Sequence, residues 1–398
     1  MRTALLAWDY PPAPSGLSSA AREIAESLAG AGADATVFTL DRVGRAHVGG
    51  VTVIGLGLAA GSALARLRLR AAAGHLAAPL AFRRGVLAAH ARAPFDVVES
   101  TNWYAPAALL VGRGAIGRGC PPVVTRSSTP AAFTREPPAS PRDRLDGAVA
   151  DALERRQVRG SAGLIANTAA HGATVAAAYG LLGRQPAAVM GVSLAPDFAA
   201  RAAHAPYPGP GGQVRLVFVG RAEARKGFDC LLDAAAILGS EADRGTLPAF
   251  TLDLVGVKPE DLPAGSAHFV RSRIRARGRV DAAALATAYA DAHAVLAPSR
   301  YESFGLVYQE ALAYGRPVVA CAADASARAF VGEPGAGPLA REATGPALAD
   351  ALRPLIADPD LRLAYRARAL SEAGRFTRAQ LGRETLALYA RAIWAGLR

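Results

Sequence analysis

Short apolar runs alternate with Ala-rich stretches of helical periodicity along nearly the whole chain. The first half carries TALLAW, ATVFTL, VTVIGL, DVVES, PVVTR, GLIANT and AAVMGV; the second carries RLVFVG, FTLDLVG, HAVLAPS and RPVVACA. Strands alternating with helices are the rhythm of βα units, which assemble a parallel sheet. The rhythm breaks over 196–213, PDFAARAAHAPYPGPGGQ, where Pro and Gly accumulate as in a linker. The pattern predicts an α/β chain of two doubly wound domains, 1–196 and 214–378, joined by a linker at 197–213. A periodic tail, 379–398, has Leu381, Leu386, Leu388, Ile393 and Trp394 as apolar anchors and reads as a helix packing back towards the N-terminal domain.

Length agrees with two domains, because single cores stop growing at about 250 to 300 residues and the chain has 398. A hydrophobic share of 51% with 20% charged residues excludes disorder. No apolar stretch approaches the roughly 20 residues that span a bilayer, and the N-terminal apolar run stops at Asp9, so a cytoplasmic protein is expected. The net charge of +12 suits nucleic acid, an anionic membrane surface or a phosphorylated substrate. No aromatic interleaving or nucleic-acid motif accompanies it, so nucleic acid is not an expected partner. Almost every base is Arg; Lys occurs only at Lys226 and Lys258, so each surviving Lys invites a functional reading. Cys120, Cys230 and Cys321 are odd in number and widely spaced, and the His residues form no array, so neither a disulfide framework nor a metal site is expected. His171 is read as a structural histidine. Residues 64–92, rich in Arg and Leu and interrupted by Pro79, read as a pair of surface helices, with weak association to an anionic membrane surface as the second reading. GLGLAA from Gly55 matches a relaxed dinucleotide fingerprint but follows the wrong strand and lacks a later acid, so a loop is the better reading.

Ligands of parallel sheets bind beyond the carboxyl ends of the strands, which directs attention to the residues that follow each one. After HAVLAP comes PSRYESFGLVYQE (298–310), with Glu302 in the loop and Glu310 more than a turn inside a helix ending at Gly315. The amides of Ser303, Phe304, Gly305 and Leu306 lie at that helix mouth, where the dipole favours anions. After RLVFVG, Gly220 ends the strand and Arg221 and Lys226 follow, a planar fork and a point charge suited to a pyrophosphate. After the first strand, DYPPAPSGLSS places Asp9 and Gly16 ahead of a helix expected to begin near Ser18 or Ser19.

These segments, in this order, resemble the retaining glycosyltransferases of family 4, which have the GT-B fold of two Rossmann-like domains facing across a cleft. The resemblance implies that Arg221 and Lys226 bind and stabilise the donor diphosphate, that Glu302 contacts hydroxyls of the transferred sugar, and that Glu310 holds the ribose. Gly16, Gly220 and the amides from Ser303 to Leu306 would support the donor. No metal or other cofactor is implied. The donor would be a nucleoside diphosphate sugar, UDP-sugar by default, with an unidentified small-molecule or glycan acceptor on the side of Asp9, Arg126, Ser127 and Ser128. Domain closure would bring Gly16 and Arg126 towards Arg221, Lys226 and Glu302. Two departures stand out: the His often found after the strand PVVTR is replaced at Ser127 or Ser128, beside Arg126, and CAADASARAF replaces the Gly-Gly segment after PVVA. A GT-B sugar-nucleotide epimerase and a non-catalytic sugar-nucleotide-binding or membrane-surface protein remain as other readings.

Overall fold

Each apolar run is a strand in the computed structural model, which describes all residues except 14, 59–60, 113–118, 182, 184, 186, 210–211, 264–271 and 397–398. The chain divides into two units, the first made of Met1–Ser193 and Phe376–Arg398, the second of Leu194–Arg375.

The strands of the first unit are β1 (Arg2–Ala7), β2 (Asp34–Thr39), β3 (Val43–Val48), β4 (Val51–Leu56), β5 (Val97–Thr101), β6 (Val123–Ser127), β7 (Gly163–Ala166) and β8 (Ala187–Val189). Their order in the sheet is β3-β4-β2-β1-β5-β6-β7-β8, and β3 alone among these pairs runs antiparallel to its neighbour. β3 is exposed at every position, so it has no apolar pattern to reveal it in the sequence. Alternating side chains supply both faces. Leu5, Val37, Val97, Val124 and Ile165 pack with Ile24 and Leu28 of the helix Gly16–Gly30 and with Leu381, Leu388 and Tyr389 of the helix Arg378–Gly396. On the other face Ala4, Leu6, Phe38 and Val98 meet Phe82 and Val86 of the helix Ala77–His90.

The expected closing helix is thus part of the first unit's core, with one anchor misassigned. Trp394 is 67% exposed, because it lies about 200° around the helix from buried Ala392. Residues 64–92 do carry a pair of helices, Ala63–Arg68 and Ala77–His90, and Pro79 sits in the first turn of the second, where no intrahelical N–H is required. Within GLGLAA, Gly55 belongs to β4, while Ala59 and Ala60 lie outside the described residues.

Arg126 is also placed otherwise than expected. It shares a strand face with Val124, so it points beneath the C-terminal helix rather than towards an acceptor. Its Nε donates to Glu99 Oε1 (2.7 Å) and its Nη2 to Thr385 Oγ1 (3.2 Å), while Tyr389 donates to Glu99 Oε2 (2.6 Å). The pair is 6% and 1% exposed; it ties β5, β6 and the last helix together.

In the second unit, β9 (Val214–Val219), β10 (Phe250–Val255), β11 (Ile274–Gly278), β12 (Ala294–Ala297), β13 (Val318–Cys321) and β14 (Leu339–Ala340) form a parallel sheet in the order β11-β10-β9-β12-β13-β14. Leu216, Phe218, Leu252, Leu254 and Leu296 pack against Leu231, Leu238, Leu348 and Leu352 of the helices Phe228–Asp243 and Gly345–Ala357. β11, read as IRARG, and the short β14 escape the sequence pattern. The segment expected as a linker is built onto this unit. Pro196 opens a helix, Pro196–Ala203, Tyr207 donates its hydroxyl to the His293 carbonyl (2.9 Å), and buried Arg316 donates to the Pro206 carbonyl (2.7 Å). Residues 210–211 of the segment lie outside the described residues.

Removing one partner of a buried ion pair strands the other charge. Glu99→Ala is therefore expected to destabilise the first unit by about 3–5 kcal/mol, measured by urea unfolding of the full chain; an unchanged midpoint would show that Arg126 is not dependent on Glu99.

Candidate active site

The chain leaves β9 towards β10 and β11 on one side of the second sheet, and later occupies β12, β13 and β14 on the other. β9 and β12 are therefore neighbours whose following loops diverge, which opens a crevice at their carboxyl ends. The loop after β9 carries Arg221, Arg225 and Lys226; the loop after β12 carries Ser299 and Glu302.

The two loops touch backbone to backbone. Gly227 has φ +70°, and a Cβ there would lie 2.1 Å from the Pro298 carbonyl oxygen, so only glycine permits this approach. Arg300 N–H donates to the Arg225 carbonyl (2.8 Å) and Arg225 Nη1 to the Tyr301 carbonyl (3.0 Å). The contact delivers Lys226 Nζ to Glu302 Oε1 at 2.5 Å; Ser299 Oγ donates to the same oxygen (2.7 Å), and Arg225 Nη1 stands 3.6 Å from Oε2. Burial pushes the Glu302 carboxyl up, but Lys226 and Arg225 outweigh it and hold the group below the usual carboxylate range. Glu302 is therefore ionised at neutral pH. Phe218, Lys226, Ser299, Glu302, Gly305 and Tyr308 line a small pocket here.

Arg221 is drawn elsewhere. It is 69% exposed and paired with Glu223 at 2.7 Å, so it does not join the Glu302 cluster. Arg225 takes that place, and only its adjacency to Lys226 in the sequence hinted at it.

Beyond Glu302, Gly305 adopts φ +80° and caps the helix Leu306–Ala313, where a Cβ would come within 2.3 Å of the Tyr308 ring. Phe304 is buried edge-on against Phe330, fixing the loop, whereas Ser303 and Leu306 are half-buried at the helix mouth. Glu310 accepts from Tyr289 OH (2.6 Å), and its carboxyl is raised because burial outweighs that bond and the pull of Lys226. Gly220, at the end of β9, donates its N–H to the Val255 carbonyl (2.9 Å).

The first unit has its own reversal of strand order, between the parallel neighbours β1 and β5. Its first helix begins at Gly16, earlier than expected, because Ser15 caps it by accepting from Ser18 N (2.9 Å). Ser15 also donates to Asp9 Oδ2 (2.6 Å). Ser127 is buried, and its carbonyl accepts from Asn167 and from His171 Nε2 (3.2 and 3.1 Å). Burial lowers the His171 pKa to about 4, so the ring is neutral at physiological pH, a structural histidine as expected. Ser128, half-buried, bonds Thr101 Oγ1 (2.7 Å) and donates its N–H to Asn102 (2.7 Å). Among the described residues, no group of three or more His, Cys, Asp or Glu is placed to hold a metal, and no helix is long and apolar enough to cross a membrane.

Two family models match the chain, Glycosyl transferase 4-like domain over residues 15–192 and Glycosyl transferases group 1 over 213–358. A D-inositol 3-phosphate glycosyltransferase of Kineococcus radiotolerans is 33% identical over 346 residues, covering 79% of this chain and 76% of that protein. The chain belongs to glycosyltransferase family 4. A phosphatidyl-myo-inositol mannosyltransferase of Mycobacterium leprae is 38% identical over a shorter stretch, 40% of this chain and 41% of that protein. Among solved structures, sucrose-phosphate synthase of Thermosynechococcus elongatus matches with TM-score 0.70 at 21% identity, covering 99% of both chains. The lipopolysaccharide glycosyltransferase WaaG matches with TM-score 0.70 at 19% identity, covering 97% and 99%. The glycosyltransferase thus has the GT-B fold, with two Rossmann-like units.

Two glycines of this glycosyltransferase separate backbone necessity from spare room. Gly227→Ala is expected to destabilise it by about 1–3 kcal/mol from the left-handed conformation alone. Gly16→Ala, in a helix with nothing within 4 Å of the added Cβ, should shift stability by no more than about 0.5 kcal/mol. Paired denaturant titrations compare the two, and equal midpoints would contradict the loop contact.

Proposed function

We propose that this glycosyltransferase moves a sugar from a nucleoside diphosphate donor, UDP-sugar as the first choice, to a hydroxyl of a small-molecule or glycan acceptor, with retention of configuration and no metal ion. The observation that carries the reading is the Lys226–Glu302 pair, flanked by Arg225, at the divergence of β9 and β12. A departing nucleoside diphosphate develops negative charge on its β-phosphate. Lys226, Arg221 drawn in from solvent, and the N-terminus of Leu306–Ala313 provide positive potential for it, the task a divalent ion performs elsewhere. Glu302, ionised, accepts hydrogen bonds and so suits sugar hydroxyls; Glu310 suits the ribose. Gly220 and the amides from Ser303 to Leu306 line the same donor.

Retention follows if the acceptor attacks on the face the diphosphate leaves, through an oxocarbenium-like transition state, with a leaving phosphate oxygen taking the acceptor proton. The second unit would bind the donor and the first the acceptor, beside Asp9, Ser127 and Ser128. UDP is favoured by neighbours solved with it, such as HepE of Anabaena in complex with UDP and glucose, at TM-score 0.63 and 19% identity. The relatives named for inositol phosphates make polyol phosphates the first acceptors to try. A cytoplasmic site of action agrees with a nucleotide-sugar donor.

UDP, GDP and dTDP sugars should separate in a thermal-shift screen, since saturation at 100 times Kd stabilises by about 2.7 kcal/mol. With the best donor, Lys226→Ala should lower kcat by about 10²–10³ at a temperature where its own melting curve shows it folded. NMR of the product should show the donor's anomeric configuration, and EDTA should leave the rate unchanged. Turnover of Lys226→Ala at the wild-type rate would sink the reading, as would inversion at the sugar C2 without acceptor.

A further inference from the structure

The turn after β13 is where the sequence departs from the family it resembles, and a buried acid stands in that departure. Asp324 is 1% exposed, yet its carboxylate receives four hydrogen bonds. Oδ1 accepts from Glu302 N–H (2.9 Å) and Ser326 N–H (3.3 Å); Oδ2 accepts from Tyr308 OH (2.7 Å) and Ala327 N–H (3.1 Å). The bonds to Ser326 and Ala327 cap the short turn Ala325–Ala327, a task that Ser or Asn performs equally well. The bonds to Glu302 and Tyr308 have no part in capping. Ser326 Oγ then donates to the Glu302 carbonyl (2.9 Å), so one turn holds both polar ends of the Glu302 residue's backbone.

We propose that Asp324, with Ser326, is a positioning residue that clamps the Glu302 backbone so that its carboxylate meets Lys226 and the donor sugar. The proposal rests on the reading that Glu302 contacts the donor. The clamp joins the loop after β12, the helix Leu306–Ala313 through Tyr308, and the turn after β13. The Glu302 side chain is meanwhile held from the opposite side by Lys226 and Ser299.

Accepting four donors uses the lone pairs of both oxygens, so the clamp needs the ionised carboxylate. Burial raises the Asp324 pKa to about 6; the bonds from Tyr308 and the Glu302 N–H oppose the rise, and the Glu302 charge adds to it. The titratable groups facing Asp324 are Glu302, Tyr308 and Tyr301, with Lys226 and Arg225 beyond Glu302. Protonation converts one acceptor site into a donor and loosens the clamp. The positioned state is present above pH 6 and is lost as pH falls through it.

The test compares kcat, donor KM, UDP affinity and pH profile for the full chain and its variants. Asp324→Asn keeps shape but its amide nitrogen cannot accept; kcat should fall by roughly 10²-fold while UDP, which lacks the sugar, binds as before, and the acid limb near pH 6 should disappear. Tyr308→Phe removes a bond that favours the ionised form, so its acid limb should move to higher pH. Ser326→Thr, which keeps the hydroxyl, should retain more activity than Ser326→Ala. Wild-type kcat and an unmoved acid limb in Asp324→Asn would overturn the proposal. If Asp324→Asn does not fold, the Tyr308→Phe profile decides, and superposition on the wild type overturns it. Failure of the underlying reading is distinguishable: there the wild type itself would neither bind UDP nor transfer sugar, or Glu302→Gln would be fully active.

Discussion

The approach of Gly227 to the Pro298 carbonyl governs the candidate site of the second unit. A sheet whose strands diverge leaves a gap between the loops of β9 and β12, and side chains reaching across from separated loops would be held in place only weakly. Closing the gap with backbone lets a short span, from Arg225 to Gly227, set two cations against one acid. The electrostatics follow from that geometry: Glu302 remains charged despite burial because Lys226 and Arg225 are close enough to outweigh desolvation. Asp324, whose burial outweighs its hydrogen bonds and which faces the Glu302 charge, is shifted the opposite way. Acids on adjacent loops thus acquire opposite shifts from their surroundings alone.

Much of the architecture was legible from hydrophobic pattern, because strands covered on both faces must be apolar. The elements that escaped it lack that requirement: β3 is fully exposed, β11 is Arg-rich, and β14 is held by its neighbour β13. The anchoring of the segment read as a linker escaped for a related reason. Pro and Gly in 196–213 mark turns, but the few residues that anchor the segment, Tyr207 on His293 and Arg316 on Pro206, are distant in sequence and carry no local signal.

At the candidate site, motif spacing singled out Lys226 and Glu302, which the fold brings together, and Glu310, whose places depend on the strand-to-helix register. It could not rank Arg221 against Arg225, since both lie in one loop and only the fold of Ala224–Lys226 decides which turns inward. Nor could it place Arg126, because its burial is set by a helix more than 250 residues later. Asp324 was visible only as an absence of the expected glycines; its bonds to Glu302 and Tyr308 are a tertiary matter.

That distance between Arg126 and its cover has a consequence for the order of assembly. The first unit's sheet and most of its helices are translated before the second unit begins, yet Leu381, Thr385, Leu388 and Tyr389 follow the whole of the second unit. Until they emerge, the helix Gly16–Gly30 covers that face of the first sheet only in part, and the Glu99–Arg126 pair stands at an open surface, hydrated rather than enclosed. The second unit is contiguous in sequence, so its core does not wait on residues from elsewhere in the chain. Of the two units, the one that starts first is therefore completed after the other.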